Sequence, residues 1–565
     1  MTTIFDAFIQ KNLEHKHIKY KNMYKSNEVF WGLGIENEMY LEFEKSKKVN
    51  TLFMLNKHKK ERYSVDYFAS YKKEIFNTCI IQYLSKNPTN SFNIPFLLNS
   101  HSFTRTDKYN NPKLLYRKNP TENPAFQKTT WLEDILEEKD YELAKTYTVN
   151  WLFDGDVIEI TTNNFYKNDL DSVINELEEN KRSFINALNE HKERNGIYKD
   201  FGKIDFMREN YPFSIYLTNE NNISMFNNGT LHYNITLPTK LNKNCKIEDY
   251  DEFKRIHKEA IKIVQWFEPF LVSIYNSPDP FSYDINSDCD KLLFSKASQR
   301  CAMSRYIGIG TYDTDGMKSG KFLQMPREEL SRNSWYNKFH DNSAYNKLES
   351  VGLDINFNKH YNHGFEIRFF DHIKDKGLLK ESLEFIIYLM DIVLTDNYNI
   401  SNPIIKDSWN NFMERAMRHG KDLVMTREEK QMYLDLLGLK YYSKIDVNIT
   451  LSEFYYDIFY YLMGIFNLVV GEKIDSIGNF SKLVLRKKNE ETDISKMQGS
   501  SKNFEKSVQI KIEEDGEKET ENIKLLNENK REKNEDVNNG VDEKGLFDCI
   551  KSLVKYFKIN NNNKT

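Results

Sequence analysis

From Ile35 to Phe43 apolar and polar positions alternate, with Ile35, Asn37, Met39, Leu41 and Phe43 on one side and Glu36, Glu38, Tyr40 and Glu42 on the other. Period-two alternation predicts a half-buried strand, and here the second side carries a row of carboxylates. Side chains at i and i+2 on one strand face stand close enough to share a multivalent cation. The plainer reading of the same row is a solvated outer face of a sheet. The alternation recurs in Gly229–Pro238, where Leu231, Tyr233, Ile235 and Leu237 oppose Thr230, His232, Asn234 and Thr236, and Pro238 is expected to end the strand. Further strands are predicted at Val157–Thr161, after the turn signal Asp154-Gly155-Asp156, at Asp354–Phe357 and at Gly364–Asp371.

Elsewhere the apolar period is helical. Residues 1–30 carry a stripe of Ile4, Phe5, Phe8 and Ile9. Asp169–Leu188 carries one of Leu170, Val173, Ile174, Leu177, Phe184, Ile185 and Leu188. Asp249–Tyr275 and Gly377–Leu394 are further helices, and 397–485 reads as helical, with Trp409–His419 closed by Gly420 as a C-cap. Residues 51–148 mix strands with loops. The most apolar run, Phe454–Val470, is short for a bilayer and interrupted by Asp457 and Asn467, so a buried helix is predicted. Residues 486–541 are dominated by Glu, Lys, Asn and Ser and are expected to form a disordered linker. Beyond it, within 542–565, Leu546, Phe547, Ile550, Leu553, Val554 and Phe557 form a stripe opposite Lys551, Lys555 and Lys558. That 545–558 helix suits docking to a partner protein or a membrane surface; folding back onto its own domain is equally open.

Composition narrows the classes. Lys+Arg 80 against Asp+Glu 84 gives a net charge of -4, which offers no global case for nucleic-acid binding. Hydrophobic residues at 39% and aromatics at 14% allow a substantial core. The five cysteines (Cys79, Cys245, Cys289, Cys301, Cys549) are scattered without a CxxC pair, which argues against zinc fingers and disulfide frameworks and for a reducing compartment. The first residues lack a basic segment followed by an apolar run, so no secretory leader is visible and a cytoplasmic location is expected.

Four predicted strands thus share polar, metal-competent residues opposite an apolar face: Glu36 and Glu38, Glu159 with Asp156 in its turn, His232 and Asn234, and Glu366 and Arg368. A curved antiparallel sheet with helices on its convex side would gather them on one surface. Carboxylates with one imidazole suit Mg²⁺ or Mn²⁺ bound together with phosphate oxygens, and neighbouring arginines suit the phosphates. Each residue alone has a plainer role. A strand His is commonly a structural hydrogen-bond partner, Glu366 and Arg368 could be an exposed ion pair, Arg300 and Arg305 solvated helix residues, and Asp156 a turn former.

The joint order of these motifs resembles the glutamine synthetase/glutamate–cysteine ligase superfamily of carboxylate–amine ligases, in particular its amidoligase branch. The resemblance is carried by Gly34-Ile-Glu-Asn-Glu38, Asp154-Gly-Asp-Val-Ile-Glu159 before a long helix, His232-Tyr-Asn234, an Arg-containing segment with Arg300 and Arg305, and Glu366-Ile-Arg368 with Asp371 beyond. It extends over 31–420, where Trp409–Gly420 looks like the family's closing helix. It implies an α+β fold built on a curved antiparallel half-barrel, with a catalytic domain over 1–395 and a helical extension over 396–485. It also implies metal ligation by Glu36, Glu38, Glu159, His232 and Glu366. Arg300, Arg305 and Arg368 would act in catalysis and, with Asn234 and Lys321, contact ATP. Lys321 lies in an insertion at 311–350 together with Lys318 and Arg327. The implied reaction is ATP-dependent amide formation through an acyl phosphate, from small-molecule or peptide carboxylate and amine substrates, with homo-oligomerisation common among relatives. A catalytically inactive scaffold of the same fold and a guanidino phosphotransferase are the alternatives.

Overall fold

The computed structural model describes, with short interruptions, residues 29–60, 81–98, 142–162, 169–209, 230–276, 295–301, 355–395, 399–468 and 480–485. The expected N-terminal helix up to residue 28, Asp156, Arg300, Arg305, the insertion at 311–350 with Lys321, the linker 486–541 and the 545–558 helix lie outside the described residues.

The architecture is α+β, built on two open antiparallel sheets and a layer of helices. Among the described residues the larger sheet has six strands in the order β4 (Trp151–Asp154), β5 (Val157–Thr161), β1 (Val29–Met39), β7 (Thr230–Lys240), β9 (Phe365–Asp371) and β8 (Ile355–Phe357), all neighbours antiparallel. The second has three, β3 (Ser91–Leu98), β2 (Leu41–Asn50) and β6 (Ile204–Phe206), again antiparallel.

Three expectations are corrected. The strand expected through Phe43 breaks at Tyr40: β1 belongs to the larger sheet and β2 to the smaller, so Glu42 leaves the row of Glu36 and Glu38. Glu42 is instead buried and accepts from the backbone N and the guanidinium of Arg208. Residues 29 and 30 open β1 rather than closing a helix. Pro238 does not end β7, which runs on to Lys240. The β1/β7 register shifts between Phe30 and Gly32, and the β9 ladder ends at Ile235, so Pro238 sits at an irregularity with a partner strand on one side, where a missing N–H is tolerated.

The helices are α1 (Thr51–His58), α2 (Glu142–Thr146), α3 (Leu170–Arg194), α4 (Tyr250–Tyr275), α5 (Lys376–Thr395), α6 (Asp407–His419), α7 (Arg427–Leu436), α8 (Leu451–Leu468) and α9 (Phe480–Leu485). Asp169 and Asp249 cap α3 and α4 by accepting from Ser172 N and Glu252 N, each at 2.9 Å. The apolar stripe of α3 is buried as predicted over Leu170, Val173, Ile174, Leu177, Phe184 and Leu188, while Asn189 clasps the N–H and carbonyl of Ile204 in the smaller sheet. From Glu259 to Ser273 every residue of α4 is buried, which places this helix at the centre of the helical layer. Helices α4 and α5 cover the apolar side of the larger sheet: Tyr233 OH meets Ser382 Oγ of α5 at 2.7 Å, and His257 Nε2 of α4 accepts from Leu237 N. Helices α6, α7 and α8 then pack on α4 through Phe412, Tyr433 and Phe454 around Phe270. Gly420 closes α6 at φ 64, as its place after His419 predicts, and a Cβ there would crowd Lys296 O. Among the described residues no helix is long and apolar enough to cross a membrane, and Leu451–Leu468 is packed by its buried Phe454, Tyr455, Ile458, Phe459 and Leu462.

Candidate metal centre

Strand register builds the site. Residues directly opposite each other in an antiparallel pair share a face, so the pairings define lateral rows across the larger sheet. One row runs Glu159, Glu38, Thr230, Asp371 across β5, β1, β7 and β9. The next carries Thr161, Glu36 and His232. A third carries Gly34, Asn234, Glu366 and Asn356. Rows two residues apart are separated by about 6.8 Å of strand, and long side chains close that gap. Gly364, just before β9, lies so near β7 that a Cβ would collide with Ile235 O, so the lack of a side chain there permits the pairing that brings Glu366 alongside Asn234.

At the centre is His232, fully buried. Its Nδ1 lies 3.3 Å from Glu36 Oε2, 3.6 Å from Glu38 Oε1 and 3.4 Å from Glu366 Oε1. Around it, Asn234 Nδ2 donates to Glu36 Oε1 at 3.1 Å, Thr230 Oγ1 donates to Glu38 Oε2 at 2.7 Å, and Arg368 Nη1 donates to Glu366 Oε1 at 3.0 Å. Glu38, Glu159 and Glu366 are buried; Glu36, with a side chain 25% exposed, and Arg368, at 21%, give the cluster its contact with solvent. Five carboxylates, those of Glu36, Glu38, Glu159, Glu366 and Asp371, share this face with Arg368, and burial makes their mutual repulsion expensive.

Of the residues expected to act, Glu36, Glu38, His232 and Glu366 converge within hydrogen-bonding or ion-pairing range, and Asn234 and Arg368 brace them. Glu159 stands next to Glu38 in its row. Arg300, Arg305 and Lys321 lie outside the described residues. Thr230 was on the correct face in the sequence pattern, but nothing there assigned it a part. The available signal was its place two residues before His232 on the same strand side. A cleft of about 670 Å³ between α4, α7 and the 399–406 segment, bordered by Trp266, Lys406, Arg427 and Gln431, lies in the helical layer, and no sequence-predicted site residue lines it.

No family model matches the chain. It is 35% identical over 417 residues to uncharacterized protein R704 of Acanthamoeba polyphaga mimivirus, covering 73% of this chain and 71% of that protein. The chain belongs to the family of that protein. The relationship carries no assigned activity, so the chemistry rests on the side chains of this chain.

Their geometry suits a divalent cation. Two ligands of one ion, at metal–ligand distances of about 2.0–2.4 Å, stand at most about 4.8 Å apart. Glu36, His232 and Glu366 each offer a ligand atom, and these atoms all lie within 4.8 Å of one another. Carboxylate oxygens with one imidazole nitrogen form a donor set that a divalent cation could take up.

Proposed function

We propose that this face holds divalent cations and that the protein is an ATP-dependent carboxylate–amine ligase, with the larger sheet forming the curved half-barrel of the glutamine synthetase/glutamate–cysteine ligase superfamily. The observation that carries the reading is the convergence of Glu36, Glu38 and Glu366 on one nitrogen of His232, at 3.3 to 3.6 Å, from strands far apart in the chain. Support also comes from the order of the motifs, Glu-x-Glu, Asp-Gly with Glu, His-x-Asn and Glu-x-Arg, which fall on the adjacent strands β1, β4–β5, β7 and β9.

In this reading Glu36, His232 and Glu366 hold one cation, and Glu38 with Glu159 beside it contributes to a neighbouring one. Bound Mg²⁺ or Mn²⁺ would neutralise the triphosphate that otherwise repels a carboxylate nucleophile. Arg368, at the solvent-facing margin of the cluster, is the described residue placed to meet phosphate oxygens, and Arg300, Arg305, Lys321 and Asn234 complete the nucleotide contacts. The substrate carboxylate attacks the γ-phosphorus, ADP leaves, and an amine then displaces phosphate from the acyl phosphate to form the amide. A glutamate-like acid or a peptide side chain is the acid class that the superfamily suggests, and a reducing, cytoplasmic setting belongs to the same reading.

The test is ATP hydrolysis by the full chain with Mg²⁺ or Mn²⁺ against pools of acids and amines, with products identified by mass. Glu36→Gln or Glu38→Gln is expected to abolish turnover while the circular dichroism spectrum and a cooperative unfolding transition persist. Unchanged turnover in either variant would remove the metal role. A product carrying phosphate on the amine would establish guanidino phosphotransfer instead, and calorimetry without metal-dependent nucleotide heat would leave a scaffold.

A further inference from the structure

The two nitrogens of His232 face different partners. Nδ1 points at three carboxylate oxygens, whereas Nε2 lies 2.9 Å from the hydroxyl of Thr230. That hydroxyl is also 2.7 Å from Glu38 Oε2. A hydroxyl has one hydrogen, and an ionised carboxylate can only accept. The Thr230 proton is therefore committed to Glu38, and the contact with His232 is satisfied only when Nε2 carries a hydrogen and donates it to the Thr230 oxygen. In the neutral ring, the form that ligates a metal, this leaves the Nδ1 lone pair facing the acidic cluster, which is repulsive unless a positive centre stands between.

We propose that Thr230 is a positioning residue: its hydroxyl, anchored on Glu38, holds the Nε2–H of His232 and so presents Nδ1 as the ligand atom of the metal centre. The consequence for metal binding rests on the function proposed above; the three-link chain Glu38–Thr230–His232 does not. Thr230 is suited to the part. It is fully buried, and its strand is paired on both sides at that position, with Glu38 opposite on β1 and Asp371 opposite on β9. Its β-branched side chain has a restricted χ1, so the hydroxyl direction is set by the strand rather than by solvent. Valine would keep the shape but could neither donate nor accept, while serine would do both. Groups that orient the remote nitrogen of a metal-binding histidine typically change metal affinity by about 10–100-fold when removed.

The experiment uses the full chain in three forms: unaltered, Thr230→Val and Thr230→Ser. Mn²⁺ affinity is measured by titration calorimetry, and the imidazole nitrogens by NMR on ¹⁵N-histidine protein with Mg²⁺, the His232 signals assigned by their loss in His232→Gln. The expected result is a hydrogen-bonded Nε2–H in the unaltered chain and in Thr230→Ser, its loss in Thr230→Val, and a fall in Mn²⁺ affinity of about 10–100-fold in Thr230→Val only. Should Thr230→Val not fold, Thr230→Ala removes the same hydroxyl and is read the same way. An unchanged Nε2–H signal and unchanged affinity on removing the hydroxyl would overturn the assignment, as would an equal loss in Thr230→Ser. If the unaltered chain binds no Mn²⁺, the metal reading fails by itself, and the Nε2–H resonance in the three forms still decides the relay.

Discussion

At the scale of the residue, the cluster around His232 is costly to fold without a counter-charge. Carboxylates from Glu36, Glu38 and Glu366 approach one nitrogen within 3.6 Å, and Arg368 offsets part of their charge from the solvent side. Sites built for charged ligands commonly trade stability for function in this way. Glu36→Gln separates the two, because its amide oxygen can still accept from Asn234 Nδ2 while one negative charge is gone. The expected outcome is a higher melting temperature than the unaltered chain in chelator, together with an Mn²⁺ affinity at least ~10-fold weaker. Melting scans with and without Mn²⁺ check both signs, and a variant less stable than its parent in chelator would mean that the repulsion is already relieved.

At the scale of the element, α4 shows how a local irregularity becomes a tertiary joint. Pro269 lies inside the helix and lacks the N–H that would donate to Gln265 O. One residue on, Trp266 O accepts two side-chain donors, Trp409 Nε1 at 3.1 Å from α6 and Tyr433 OH at 2.6 Å from α7. Both donors are buried, so neither can exchange its partner for water. Tyr433→Phe keeps the ring among Phe267, Phe270 and Phe412 and removes only the hydroxyl. A loss of about 1–2 kcal/mol in denaturant unfolding is expected, with an unchanged denaturant slope. No loss would show that the hydrogen bond adds nothing beyond the packing.

Element identity was largely legible in the sequence. The stripe of α3, the extent of α4 from Asp249 and the Gly420 stop of α6 each depend on residues within one or two turns, and local spacing reports them. The break at Tyr40 was not legible. Tyr40 and Leu41 are both buried, because β1 and β2 pack on different partners, and a strand that changes sheets keeps its alternation. Pro238 misled for a related reason, since a proline is excluded only where its missing N–H has a partner waiting, and that depends on neighbouring strands.

At the scale of the whole molecule, the core is rich in buried phenols. Tyr233, Tyr275, Tyr433 and Tyr455 lie at or below 2% exposure, and desolvation is the chief cause holding each hydroxyl protonated well above its ordinary value of 10.0. In the unfolded chain these groups ionise near that ordinary value; in the folded protein they do not. The unfolded form therefore sheds protons that the folded form retains, so their stabilising contribution is complete below pH 10 and lost as the pH rises beyond it. A cooperative alkaline unfolding is expected, with tyrosinate absorbance and circular dichroism changing together above pH 10. Ionisation of every tyrosine, the four buried ones included, without loss of secondary structure would contradict it.

The alternating strands determined which side chains share a face, because a strand's period is local and needs no partner. On that basis alone Glu36 and Glu38 belonged together, as did Thr230, His232 and Asn234, and Glu366 with Arg368. Only the tertiary structure decided which of them meet. Sliding one strand past another by two residues keeps every face and changes every neighbour. The register that sets Glu36 opposite His232, and Asn234 opposite Glu366, comes from long-range pairing that includes the close approach at Gly364. The direction of the histidine ring follows from the same register, because Thr230 reaches Glu38 only when β1 and β7 are aligned in this way.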